Sequence, residues 1–206
     1  MVNKKIVLNV CGVKSLGGLK LFLESFDFLV ESGNKLTVLY SELPFYKDLQ
    51  NQFINSDLVN FIYVKQKRLT HPYLNFFLSK DINNKINMSD AIIHYGNFGF
   101  KTNIKSFVLI QNILPLVKND LRNKLLRYFI LKSVRTSEHI LIQLQHLKTY
   151  LPSKEKNKII EIGEIFEKSV PLSNTNGGIV CFASEVPNKN FDFILKTLKN
   201  IDKNHL

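Results

Sequence analysis

What most limits the folds open to this chain is an alternation that runs its length. Apolar, β-branched runs of strand length recur, each followed by a segment with helical spacing. "KKIVLNV" (4–10) precedes "LKLFLESFDFLVESG" (19–33), where Leu19, Phe22, Leu23, Phe26, Leu29 and Val30 recur at i, i+3, i+4 and i+7. Gly33 stands where a helix C-cap belongs. Further strands are predicted at 35–40, 58–64, 90–95, 105–111, 138–144 and 157–163. Helices are predicted at 45–56, at 72–83 behind Pro72, at 120–137, and at 145–151 before Pro152.

Strands separated by helices specify βαβ crossovers, a mostly parallel sheet and helices on both of its faces. The predicted fold class is α/β, with a Rossmann-like sheet of seven strands before residue 165. The polar stretch "EKSVPLSNTNGG" (167–178) reads as a linker. "IVCFASEVPNKNFDFILKTLKNI" (179–201) reads as a strand, a turn and a helix, the way such a domain begins. The expected organisation is a Rossmann-like domain over 1–165, a hinge over 166–178, and over 179–206 the first strand and helix of a truncated second Rossmann-like unit.

No window approaches the roughly 18 uninterrupted apolar residues of a membrane span. The opening "MVNKKIVLNVCGV" is too short an apolar run for a signal peptide and reads as a first strand. Cys11 and Cys181 lie in separate apolar runs without metal or disulfide spacing. A cytoplasmic protein is expected. Lys and Arg number 28 against 17 Asp and Glu, a net charge of +11. Such an excess either favours phosphate-rich partners or reflects a generally lysine-rich composition.

Ligands of open parallel sheets bind beyond the carboxyl ends of the strands, so the loops there hold the candidate residues. "CGVKSLGGLK" (11–20) brings Gly17 and Gly18 to the start of a helix. Backbone N–H groups can approach an anion closely there, though the same glycines suit a tight turn. The spacing is not that of a P-loop, because Gly18 stands in the lysine position, nor is it G-x-G-x-x-G. "HYGNFGF" (94–100) offers His94 and Asn97 to a hydroxylated ligand or to internal hydrogen bonds. "QNILPL" (111–116) offers the amides of Gln111 and Asn112 to a ligand or to the loop itself. In the long helix Arg122, Lys124, Arg127 and Lys132 mix with leucines. That mixture suits an anionic membrane surface or ordinary packing beneath a solvated charged face. There is no H-E-x-x-H, G-x-S-x-G or Cys/His cluster, and the aromatics follow core periodicity. Neither a metal site nor a nucleic-acid platform is expected.

Several of these segments, in order, resemble one family. "SLGGLKLFLESF" looks like the glycine-glycine loop and first helix of the retaining glycosyltransferases of the two-Rossmann (GT-B) fold, the large family numbered four. "SDAIIHYGNFGF", "VLIQNILPL" and "LLRYFILKSVRTSEHILIQLQHLKTYL" resemble its later strands, loops and long helix. "IVCFASEVPNKNF" is similar to the first strand and turn of its second domain. The resemblance implies an acceptor-binding first domain and hexosyl transfer from a nucleotide sugar to a cell-surface glycan or lipid-linked acceptor, with no metal cofactor. It implies that Gly17 and Gly18 lie near the donor phosphates, that Gln111 and Asn112 fall where many members have a catalytic-cleft histidine, and that Lys189 contacts the donor diphosphate. Ser184 stands where the family often has an arginine, and the paired glutamates of its donor domain do not occur before Leu206. The expected enzyme is therefore truncated and inactive alone, or else a non-catalytic acceptor-binding subunit whose partner chain completes the donor site. Its expected place is the inner face of the plasma membrane.

Overall fold

A computed structural model describes residues 3–13, 16–41, 44–65 and 78–162. All belong to the first of the two units into which the chain divides, Met1–Ile165. The expected hinge (166–178), the expected second unit (179–206) and Lys189 lie outside the described residues.

Seven strands form one sheet among the described residues: β1 (Lys5–Asn9), β2 (Lys35–Tyr40), β3 (Val59–Tyr63), β4 (Ala91–His94), β5 (Lys105–Ile110), β6 (His139–Ile142) and β7 (Ile159–Glu161). Their spatial order is β3-β2-β1-β4-β5-β6-β7, and every pairing is parallel. The α/β, Rossmann-like fold predicted from the alternation is the one observed. Strands β1, β2 and β5 each begin on an exposed lysine and end on three consecutive buried residues. Such runs are expected of strands covered on both faces. Along β1 the side chains alternate: Leu8 and Val10 join one buried cluster, Val7 and Cys11 another.

Helix α1 (Leu16–Glu31) lays Phe22 and Phe26 into the first cluster, where the Phe22 ring meets Phe26, Tyr46 and Tyr95 at centroid distances of 5.5, 5.9 and 5.7 Å. Gly33 ends α1 as expected. Its φ of 75° lets Gly33 N–H donate to Val30 O and Asn34 N–H to Leu29 O, which satisfies two terminal carbonyls. Helix α2 spans Pro44–Gln52.

Helix α3 departs from the prediction. It runs over Lys80–Asn87, not 72–83, and Leu78 and Ser79 precede it. The Ser79 side chain accepts from Ile82 N–H at the N-cap, and Asp81 sits in the first turn. Residues 72–77 lie outside the described residues. A short α4 (Leu114–Val117) was not predicted, since a single turn carries no periodicity. The long helix α5 (Leu121–Thr136) is close to its predicted 120–137, with Asp120 as its N-cap. The expected helix at 145–151 is a 3-10 segment over Gln145–Tyr150, and a second covers Ser153–Lys158. No helix among the described residues is long and apolar enough to cross a membrane.

Candidate functional site

Strand order reverses between β1 and β4, because the chain leaves β1 toward β2 on one side and returns to β4 on the other. At such a switch point the loops leaving neighbouring strands turn apart and open a crevice at their carboxyl ends. A cavity of about 270 Å³ lies there. The loop after β1 contributes Gly12 and Val13, the loop after β4 contributes Gly96, Asn97 and Phe98, and the segment after β5 contributes Gln111, Asn112 and Pro115. Gly18 of α1 and Leu126 of α5 also line it.

The crevice depends on two adjacent left-handed residues. Gly96 has φ 82° and Asn97 φ 74°. Gly96 lies so close to the β1 loop that a Cβ there would stand 3.1 Å from the carbonyl carbon and oxygen of Gly12. Asn97, a residue type that tolerates this conformation, is buried and stitches the β4 loop to the β5 loop. Its backbone N–H donates to Leu109 O (3.1 Å), and its Oδ1 accepts from the N–H groups of Gln111 (2.7 Å) and Asn112 (3.1 Å). Its Nδ2 donates to Asn112 O (2.9 Å). Asn112 in turn accepts from Leu114 N–H through Oδ1, which opens α4.

Arg127 belongs to this construction and not to the surface expected for it. Its Nε donates to Pro115 O (3.0 Å), and its Nη2 to Lys118 O (2.7 Å) and to Asn119 Oδ1 (3.3 Å). A guanidinium fork here ties α4, and so the Pro115 wall of the cavity, to α5. Arg127→Lys keeps the charge and loses the fork. It is expected to lower stability by about 1 kcal/mol in urea unfolding, and Arg127→Ala by about 2 kcal/mol.

Of the predicted site residues, the structure brings Gly18, Asn97, Gln111 and Asn112 to one cavity. Gly17 is exposed beside it in the first turn of α1, and among the described residues beyond its own turn no atom lies within 4 Å of a Cβ built there. His94 is placed elsewhere. It is fully buried and does not line the cavity. Asn9 Oδ1 accepts from Cys11 N–H, so Asn9 Nδ2 is the donor to His94 Nδ1 (3.0 Å), which puts the ring proton on Nε2. Phe100 packs on the ring at a 4.7 Å centroid distance, and Gly99 leaves no room for a side chain, a Cβ there falling 2.8 Å from His94 Cδ2. His94 is packed in the core of this fold, outside this cavity. Asn9, Gly12 and Gly96 were not singled out as site residues. A lone polar residue in the apolar run "IVLNV" was the available signal for Asn9.

No titratable side chain lines the cavity among the described residues. Gln111 and Asn112 can orient hydroxyls but cannot move a proton. Cys11 is no alternative nucleophile, since burial pushes its thiol up to about 12. Among the described residues no group of three or more His, Cys, Asp or Glu is arranged to hold a metal ion.

No protein-family model matches the chain, and no curated protein matches it. Solved structures do. LpCGTa in complex with UDP superposes with a TM-score of 0.52 at 12% identity, covering 81% of this chain and 54% of that one. UGT89C1 of Arabidopsis thaliana complexed with UDP superposes with a TM-score of 0.50 at 12% identity, covering 81% and 51%. What is shared is the fold. Both neighbours were solved with UDP bound, and the chain spans about half the length of each.

Proposed function

We propose that this chain belongs to a glycosyltransferase, family-four-like, that moves a hexosyl group from a nucleotide sugar to a glycan or lipid-linked acceptor. The observation that supports this reading most is the switch-point cavity itself. It lies where a sheet of this topology accepts a ligand, and its lining includes Gly12, Gly18 and Gly96 with Asn97, Gln111 and Asn112, in a fold shared with UDP-bound neighbours. In this reading the sugar–oxygen bond to the diphosphate breaks, the electron pair leaves with the diphosphate, and the acceptor hydroxyl oxygen forms the new bond. With no titratable side chain in the described lining, the departing phosphate oxygen takes the acceptor's proton. Backbone N–H groups at Gly17 and Gly18 and the Lys189 ammonium would steady the charge that develops there. Gln111 and Asn112 would hold sugar hydroxyls.

The test is UDP release by the whole chain, assayed with a panel of UDP-sugars, together with UDP binding by calorimetry. UDP saturating at about 100 times its Kd should raise stability by about 2.7 kcal/mol. Failure to bind UDP or any nucleotide sugar overturns the reading. Gly17→Ala refines it. The open space around Gly17 predicts unchanged or slightly improved stability, within about 1 kcal/mol. A phosphate seated on that turn predicts at least about a tenfold loss of UDP affinity. An unchanged affinity would place the phosphate elsewhere.

The same absence of titratable groups favours a second reading, an acceptor-binding subunit that needs a partner chain for the donor site. Acceptor binding without UDP release, restored to turnover by a second protein, distinguishes it.

A further inference from the structure

The outer face of α5 carries a surface that its packing does not explain. The helix buries Phe129, Ile130, Ser133 and Val134. At 100° per residue, the opposite arc of about 100° holds Leu121, Leu125 and Tyr128 together with Lys124, Lys132 and Arg135. All six are exposed, Leu121 at 84%, Tyr128 at 58% and Leu125 at 57%. Exposed apolar residues scattered singly are unremarkable, but three on one arc of one helix form a patch. Val117 and Lys118, also exposed, extend it toward α4. The charge is as one-sided as the apolar content. Between residues 91 and 137 stand eight lysines and arginines and one acid, Asp120, which is occupied capping α5.

We propose that this arc of α5 is a docking surface for an anionic lipid bilayer, with the leucines and Tyr128 entering the headgroup layer and the basic side chains meeting lipid phosphates. The combination selects the partner. A nucleic acid would answer the charge and leave the leucines idle. A second copy would bring like charges together. An anionic bilayer satisfies both components at once. The set differs from the one read off the sequence: Arg127 leaves it, because its guanidinium is held by Pro115, Lys118 and Asn119, Arg122 leaves it, because it lies about 100° round the helix from Leu121 and outside the arc, and Arg135 enters. The same helix lends Leu126 to the cavity, so docking and ligand binding would share one rigid element.

The experiment is co-sedimentation of the whole chain with vesicles of phosphatidylcholine alone and of equimolar phosphatidylcholine and phosphatidylglycerol. Binding to the mixed vesicles and not to the neutral ones is expected, weakening as salt is raised. The variant carrying Lys124→Glu, Lys132→Glu and Arg135→Glu should lose about 100-fold in partitioning, roughly fivefold per residue. The variant carrying Leu121→Ser, Leu125→Ser and Tyr128→Ser should lose at least about tenfold. Thermal unfolding of both should match the parent, since every altered side chain is exposed. Reversal of Lys4, Lys5 and Lys35, which are exposed at the other end of the strands, carries the same charge change and should lose less than about threefold. No binding to either vesicle, equal loss in the control, or full binding by the serine variant overturns the proposal. So does tighter binding to an oligonucleotide that the serine variant retains.

Discussion

Asn97→Ala is expected to lower the unfolding free energy by about 3 kcal/mol, measured by urea denaturation. Two causes add. Three side-chain hydrogen bonds disappear, and the N–H groups of Gln111 and Asn112 and the carbonyl of Asn112 lose their partner. Buried groups left unmade in this way cost about 1–3 kcal/mol each, but Asn112 is exposed and water replaces part of what it loses. The second cause is conformational, since alanine at a φ of 74° meets the left-handed penalty of roughly 1–2 kcal/mol that asparagine partly escapes. Asn97→Gly separates the two. It removes the bonds but accepts the backbone angle, and it should be less damaging than alanine by up to about 1 kcal/mol, part of which glycine's unfolded-state entropy takes back. A loss below about 1 kcal/mol for alanine would mean that the β4 and β5 loops are held together by something other than this side chain. Because Gln111 and Asn112 line the cavity through the segment Asn97 fixes, both variants should also weaken the binding of any ligand of that cavity, whereas Gly17→Ala leaves the fold intact.

The difference between those two residues shows what a sequence can carry. The strands were legible because β-branched runs buried on both faces leave a continuous apolar signal, as in "KLTVLY", whose predicted bounds are those of β2. Over the described part of the predicted helix 72–83, the Ser79 cap and Asp81 set a helix that begins at Lys80 and runs on to Asn87, a start signal that the reading from Pro72 passed over. The strand-end rule pointed to Gly18, Asn97, Gln111 and Asn112, since it needs only strand positions and a parallel sheet. It could not tell what each residue does. Asn97 binds groups 14 and 15 residues away, and Arg127 binds backbone carbonyls that a sequence does not display. His94 was ambiguous for the same reason. Its place is decided by Asn9, 85 residues distant, and by the closeness of Gly99. The mixed face of α5 was visible in composition, but the helix register decides which cations face out.

Gly96→Val should cost about 3 kcal/mol or more and Gly96→Ala about 2 kcal/mol, in the same denaturation assay. Gly33 supplies the control, because its φ of 75° is nearly that of Gly96 at 82° while its surroundings differ. A Cβ on Gly33 meets only the Asn3 side chain, at 3.4 Å, which can swing aside. Gly33→Ala should therefore show the conformational part alone, about 1 kcal/mol. A Cβ on Gly96 meets the backbone of Gly12 at 3.1 Å, and backbone can yield only by moving the loop. The excess of Gly96→Ala over Gly33→Ala measures that displacement, and valine enlarges it by placing branched carbons on a left-handed residue. Because the displaced segment is one wall of the cavity, Gly96→Ala should also reduce nucleotide affinity where Gly33→Ala leaves it intact. Equal losses of stability in the two alanine variants would show that the β1 and β4 loops do not press together, and the crevice between them would then have no fixed width.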